Sequence, residues 1–238
     1  MKLSVLMAVY NEKDWLPKTV NKVLNQKVAG IDSMELIIID DGSKDGTIEI
    51  INRLAKENPG RIRSFFHKMN SGKGAAIKTA VEQMTGEVCI IQDADWEYDP
   101  IDYGLILEPI IDGRADCVFG SRFMGTQPKR VLYFWHYLGN KFLTSLSNLL
   151  NNLSLTDMET CYKAFRADVI KSIPIRSGDF GFEPEITAKV AKRGFRIYEV
   201  GIHYNGRTYK EGKKITWRDG LKAIFVILKY WAINDTKK

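Results

Sequence analysis

IIQDADWEYDP, residues 90–100, sets two carboxylates, Asp93 and Asp95, at the end of an apolar run and follows them with a polar turn. Val88, Cys89, Ile90 and Ile91 read as a short buried strand, so the next residues leave the sheet at its carboxyl edge, where open α/β sheets bind ligands. Side chains on an extended strand alternate faces, and two aspartates two positions apart share one face and can act on one ligand. Carboxylates about 4 Å apart repel by roughly 4 kcal/mol at an effective dielectric near 20, so both ionise comfortably only with a cation or donors between them. A hard divalent metal answers that need; a solvated acidic turn is the bland alternative, and DAD alone does not separate the two.

Three earlier units follow the same plan. Residues 2–9 read as a strand, and the helix after it carries Leu16, Val20, Val23 and Leu24 at helical spacing. MELIIID, residues 34–40, is an apolar run ending on Asp40 and Asp41; Gly42, Ser43 and Asp45 then supply turn chemistry before a helix with Ile48, Ile51 and Leu54. RIRSFFH leads through NSGKG into a helix over about 73–84. Strands alternating with helices predict a mainly parallel α/β sheet with right-handed crossovers and every polar loop at one edge, in one cleft.

Beyond residue 100 the rhythm breaks. A helix is expected over about 100–112, then the strand DCVFGS and a loop containing Gly125, Pro128, Lys129 and Arg130. From 132 to 153, Leu132, Trp135, Leu138, Phe142, Leu146, Leu149 and Leu153 step by three and four, which predicts one long amphipathic helix, broken near Gly139. CYKAFR reads as a strand, FEPEITAKVAK as a helix, FRIYEVGIHY as the last strand and RDGLKAIFVILKYWAI as the final helix. No repeat or linker interrupts the chain, so a single domain over 1–238 is expected, with a ligand-binding half over about 1–100.

The composition is that of a soluble globular protein: 238 residues, 45% hydrophobic, with a net charge of +6 that is too mild to demand nucleic acid. Cys89, Cys117 and Cys161 are odd in number and widely spaced, which suggests neither a disulfide framework nor a zinc site. The strand KLSVLMAV follows Met1 directly, without a secretory leader, and no apolar window is long enough to span a membrane, so a cytoplasmic location is expected.

The loops differ in what they say. AVYNE offers Tyr10, Asn11 and Glu12, which a helix start with an acidic first turn also explains. DDGSKDGT is more informative, because two aspartates straight after a buried strand are costly unless they meet donors such as a base or ribose. NSGKGAA flanks Lys73 with Gly72 and Gly74 at a helix start, which permits close approach to an anion. It is not a Walker loop, and no GxGxxG follows a strand, so nucleotide hydrolysis and dinucleotide redox chemistry are disfavoured. His67, His136 and His203 form no metal-spaced cluster.

AVYNE, IIIDDGSKDGT, NSGKGAA, QDADWEYDP and GSRF, in this order, resemble the family 2 glycosyltransferases with the GT-A fold. The resemblance narrows, over about residues 2–220, to the dolichol- and polyprenyl-phosphate mannose or glucose synthases. It implies a nucleotide-sugar donor, a UDP- or GDP-hexose, and Mg²⁺ or Mn²⁺ on Asp93 and Asp95. It further implies donor contacts at Ala8, Tyr10, Glu12, Asp40, Asp41, Lys73, Gly74 and Ala94. Arg122, Arg207 and Lys213 match basic positions around the acceptor phosphate, and the planar fork of arginine suits phosphate oxygens. TDMETCYKAF makes Asp157 the candidate base or acceptor-orienting group, with Glu159 behind it; METCYK departs from the Gly-Phe pattern of many relatives, which bears on acceptor identity.

Direct displacement at the anomeric carbon inverts its configuration. A sugar-hydroxyl acceptor of a cell-envelope or capsular glycan needs a general base, whereas a phosphomonoester is mostly dianionic at neutral pH and needs little proton removal. A nucleotidyltransferase is disfavoured because AVYNE is not a basic glycine-rich loop, and a sugar-nucleotide binder without turnover because all the acidic positions are present. The helix over 132–153 and the stripe Leu221, Ile224, Phe225, Leu228 and Trp231 could meet a lipid surface, giving peripheral membrane contact, although core packing is the ordinary explanation of such stripes.

Overall fold

The computed structural model describes residues 1–125, 130–131, 133–208, 211 and 217–233. Its first half is strand and helix in alternation: β1 Lys2–Val9, α1 Leu16–Leu24, β2 Ser33–Asp40, α2 Thr47–Glu57, β3 Ile62–Phe66, α3 Lys73–Gln83 and β4 Val88–Ile91. Leu3, Val5, Leu6 and Met7 of β1 are fully buried, as are Leu36 to Ile39 of β2, because helices cover both faces of the parallel strands. These β-branched and leucine side chains fill the core between the layers.

The second half adds α4 Tyr103–Ile111, β5 Cys117–Ser121, α5 Phe134–Asn151, β6 Lys163–Arg166, α6 Ala167–Ser172, α7 Phe182–Lys192, β7 Ile197–Gly201 and α8 Trp217–Ala232. All seven strands join one sheet in the order β3-β2-β1-β4-β6-β5-β7. β6 runs antiparallel to both neighbours, and every other pairing is parallel. Val9 lies opposite Asp40, and Asp40 opposite Phe66, so the loops after β1, β2 and β3 leave one edge side by side. The expected mainly parallel sheet is present.

Three local expectations are corrected. β4 stops at Ile91, so Asp93 and Asp95 lie beyond the strand rather than on alternate positions of it. α5 runs through Gly139 without a break, since a helix tolerates an exposed glycine at a cost of about 1 kcal/mol. The short α6 after β6 carries no amphipathic signature long enough to read from sequence. Core packing does not explain the apolar stripes: α5 buries only Thr144 and Ser147, while Trp135 is 76% exposed and Phe142 57%. In α8 the buried residues are Ala223, Ile227 and Tyr230, and Leu221, Phe225, Leu228 and Trp231 face outward. Among the described residues no helix is long and apolar enough to cross a membrane.

Candidate functional site

The loops at the carboxyl edge open into a cleft of about 950 Å³, walled on one side by β-strand ends and on the other by α5 and α8. Its floor is the segment after β4. Gln92 Oε1 accepts from the hydroxyls of Tyr103 (2.8 Å) and Tyr162 (2.6 Å), and Thr19 donates to the Ala94 carbonyl at 3.0 Å, so the loop is fixed from below. Trp96 takes φ +67°, a conformation rare for a bulky residue, and its ring lies under Lys22 Nζ at 4.9 Å. Asp93 and Asp95 therefore reach the cleft from a bent loop.

Negative charge is concentrated there. Glu12, Asp93, Asp95 and Glu97 all line the cleft. Two cations answer them: Lys73 Nζ lies 3.1 Å from Asp93 and 2.8 Å from Glu183, and Arg207 lies 2.7 Å from Asp95 and 3.4 Å from both Glu12 and Glu97. The charge is not balanced. Burial, reinforced by Asp93 and Glu97, pushes the Asp95 carboxyl up to about 8 despite Arg207. Among the described residues no three histidine, cysteine or carboxylate side chains converge as a metal group. Two oxygen donors in an over-negative cleft nevertheless fit a hard cation of the Mg²⁺ type, which is commonly held by one or two carboxylates plus substrate phosphates.

A second charge system surrounds Arg122. Arg122 makes a bidentate pair with Asp157, Nε to Oδ2 at 2.7 Å and Nη2 to Oδ1 at 2.8 Å, and its backbone N–H donates to Oδ2 at 3.0 Å. The guanidinium also sits over the Tyr204 ring at 5.3 Å. Asp157 is fully buried; burial alone would raise its carboxyl, but Arg122 holds it below the usual carboxylate range. Beside it, burial and the nearby Glu183 push Glu159 up to about 7, and burial brings Lys163 down to about 8.

Against this geometry the comparisons with known proteins are specific. The family model described as "Glycosyl transferase family 2" matches residues 4–173. The chain belongs to glycosyl transferase family 2. It is 26% identical to the polyprenol monophosphomannose synthase of Mycolicibacterium smegmatis, over 85% of this chain and 77% of that one. It is 27% identical to the undecaprenyl-phosphate mannosyltransferase of Micrococcus luteus (90% and 87% covered), and 26% to the UDP-N-acetylglucosamine–dolichyl-phosphate N-acetylglucosaminyltransferase of Methanococcus voltae (94% of both). Among solved structures, glucosyl-3-phosphoglycerate synthase from Mycobacterium tuberculosis, crystallised with Mn²⁺, UDP and phosphoglyceric acid, superposes with a TM-score of 0.73 at 18% identity, over 99% of this chain and 80% of that one. The fold is shared with it.

In this glycosyltransferase Ala8, Tyr10, Glu12, Asp41, Lys73, Asp93, Ala94, Asp95, Arg122 and Arg207 all line the cleft. Three of the residues singled out from sequence do not. Asp40 turns into its own loop, Oδ2 accepting from Gly42 and Ser43 N–H at 3.1 and 2.9 Å. Gly74 packs against the backbone: a Cβ there would collide with the Ser177 carbonyl, as one at Gly72 would with the Gly178 carbonyl and one at Gly178 with the Ser71 carbonyl, so these glycines let the two loops touch. Asp157 sits behind Arg122 with both oxygens engaged. Lys213 lies outside the described residues. Asp41 faces the cleft but also organises it, accepting from Ser71 and Gly72 N–H and lying 2.7 Å from His67 Nδ1.

Glu97, Glu183 and Tyr204 line the cleft without having been singled out. Glu97 could have been found, since it lies two residues past Asp95 in the same polar turn. Glu183 could not: FEPE reads as an ordinary acidic helix start, and only α7 packing beside Lys73 brings it in.

Proposed function

We propose that this glycosyltransferase moves a hexose from a nucleotide-diphosphate sugar to a polyprenyl phosphate, with inversion and with Mg²⁺ or Mn²⁺. The observation that carries the reading is that two arginines line the same cleft as an apolar wall. Arg122 and Arg207 share the cleft with Trp135 and Phe142 of α5 and Ile224 of α8, a combination suited to a phosphate headgroup on an isoprenoid chain. The names of the bacterial and archaeal relatives point the same way.

In this mechanism Asp93 and Asp95 would hold the divalent cation, which when bound neutralises charge gathering on the departing diphosphate. Tyr10, Glu12 and Asp41 border the nucleoside, and Lys73 adds a positive charge beside Asp93. Residues of the first hundred thus serve the donor, and Arg122 and Arg207 orient the incoming phosphate oxygen toward the anomeric carbon. Asp157 positions Arg122. A dianionic phosphate needs no proton removed before it attacks, which agrees with a carboxylate already locked in an ion pair. The exposed aromatic faces of α5 and α8 give the protein a peripheral contact with the membrane that holds its acceptor.

The test is a panel of UDP- and GDP-hexoses with Mn²⁺ or Mg²⁺, with and without a short polyprenyl phosphate, following nucleoside diphosphate release and lipid-linked sugar together. Lipid-dependent release from one donor is expected. Release that ignores the lipid and responds to an oligosaccharide would replace this reading with transfer to a glycan hydroxyl.

A further inference from the structure

Two guanidinium groups repel, so bringing both to one small anion needs negative charge built in beside them. Tyr204, on the segment after β7, lines the cleft and has no part in the steps above. Its ring carries the Arg122 guanidinium, 5.3 Å from the centroid, and its hydroxyl donates to Glu97 Oε2 at 2.9 Å. The other oxygen of Glu97 accepts from the backbone N–H of Arg207 at 2.9 Å and lies 3.4 Å from its Nε. One side chain therefore touches the first arginine and the carboxylate that holds the second.

The setting is fixed on several sides. Tyr98 and Tyr204 form an antiparallel bridge with their rings 5.4 Å apart, and Asn205 N–H donates to the Glu97 carbonyl at 2.9 Å. One residue earlier, His203 donates from its backbone N–H to the buried Asp102 at 2.8 Å. The segment is thus pinned to the loop after β4, which carries Asp93 and Asp95. Burial first, and then Glu97, push the Tyr204 phenol above its ordinary range, so the hydroxyl keeps the proton it donates. Phenylalanine at this position would keep a ring under Arg122 and leave Glu97 without that donor. Leucine would lose both.

Resting on the lipid-phosphate reading above, we propose that Tyr204, acting through Glu97, is a positioning residue for the acceptor: it holds Arg122 and Arg207 at the spacing that one dianionic phosphate spans. It touches neither the donor nor the reacting atoms in this role. The negative face of its ring and the Glu97 carboxylate offset the repulsion between the guanidiniums until a phosphate takes over. A neutral hydroxyl acceptor has no use for such a pair, so the device selects the chemical class of acceptor. A phosphodiester, with one charge fewer and one oxygen blocked, gains less from two arginine forks than a phosphomonoester does.

The experiment is calorimetric titration of wild type, Tyr204→Phe and Tyr204→Leu with a short prenyl phosphate and with its methyl ester, and separately with UDP and GDP in Mn²⁺. Thermal unfolding of each variant checks that it is folded. Wild type should bind the phosphate about tenfold or more tightly than the methyl ester, and Tyr204→Phe should lose about tenfold for the phosphate and little for the ester. Tyr204→Leu should lose more. Both variants should bind the nucleoside diphosphate within about twofold of wild type, and in turnover the acceptor KM should rise with kcat nearly unchanged. If Tyr204→Leu does not fold, Tyr204→Phe carries the same comparison. Variants that keep the wild-type preference for the dianion, or that weaken every ligand equally, overturn the positioning role alone. A wild-type protein that binds a nucleoside diphosphate but no prenyl phosphate overturns the lipid-phosphate reading and this role with it.

Discussion

Asp95 and Asp157 both meet an arginine in low-dielectric surroundings, and their environments push them in opposite directions. Asp95 is raised, by burial first and then by Asp93 and Glu97, so its ionised form weakens the free protein as pH climbs from the unfolded carboxylate range through about 8. Replacing it with Asn should therefore stabilise the metal-free protein at neutral pH by something of order 1 kcal/mol while reducing transfer more than 100-fold. Denaturant melts beside rates read both signs, and a near-normal rate would remove Asp95 from the metal site. Asp157 is lowered, Arg122 overcoming burial, so its contribution is present at neutral pH and lost as pH falls below the unfolded carboxylate value toward the lower folded one. Asp157→Asn removes the carboxylate that makes the bidentate pair with the buried Arg122 and should cost about 3–5 kcal/mol. Its loss of transfer should persist as pH is raised, since the residue positions a guanidinium; recovery at high pH would instead mark it as a base.

Elements hold these residues through close backbone contact on one side of the cleft and open faces on the other. Gly74, at the start of α3, touches the Ser177 carbonyl so closely that Gly74→Ala must push two loops apart, displacing Lys73 with them. Gly139, in the middle of α5, faces open space, and a methyl group added there would meet nothing within 4 Å among the described residues. Gly139→Ala should therefore gain about 0.5–1 kcal/mol where Gly74→Ala loses stability. Paired melting curves test the contrast. The exposed faces make a different prediction. Trp135→Ser, Phe142→Ser and Phe225→Ser together should reduce sedimentation with vesicles carrying polyprenyl phosphate and raise the KM for that acceptor tenfold or more, with nucleotide affinity unchanged. Equal loss for a water-soluble short-chain acceptor would assign the aromatics to the cleft alone.

At the scale of the molecule, the site draws together residues far apart in the chain, with Arg207 reaching Glu12 across 195 positions. What sequence discloses follows from this. The strand ends of the first half were legible, because an apolar run ending in aspartates and glycine fixes both a strand and the edge from which its loop leaves. Glu183 and the Asp157–Arg122 pair were not, because burial and ion pairing across the antiparallel β6 depend on packing that local pattern does not encode. The same dispersal makes ligand binding a property of the whole fold. A donor and cation held as proposed would tie together the loops after β1, β2 and β4, which are not apposed in the unfolded chain, so binding would stabilise the native state. With nucleoside diphosphate at about 100 times its Kd, the gain should be about 2.7 kcal/mol, visible as a rise in unfolding temperature of several degrees. Chelating the divalent cation should remove most of that rise in wild type. Asp95→Asn, already more stable when free, should show no metal-dependent rise at all; a shift equal to that of wild type would place the cation elsewhere.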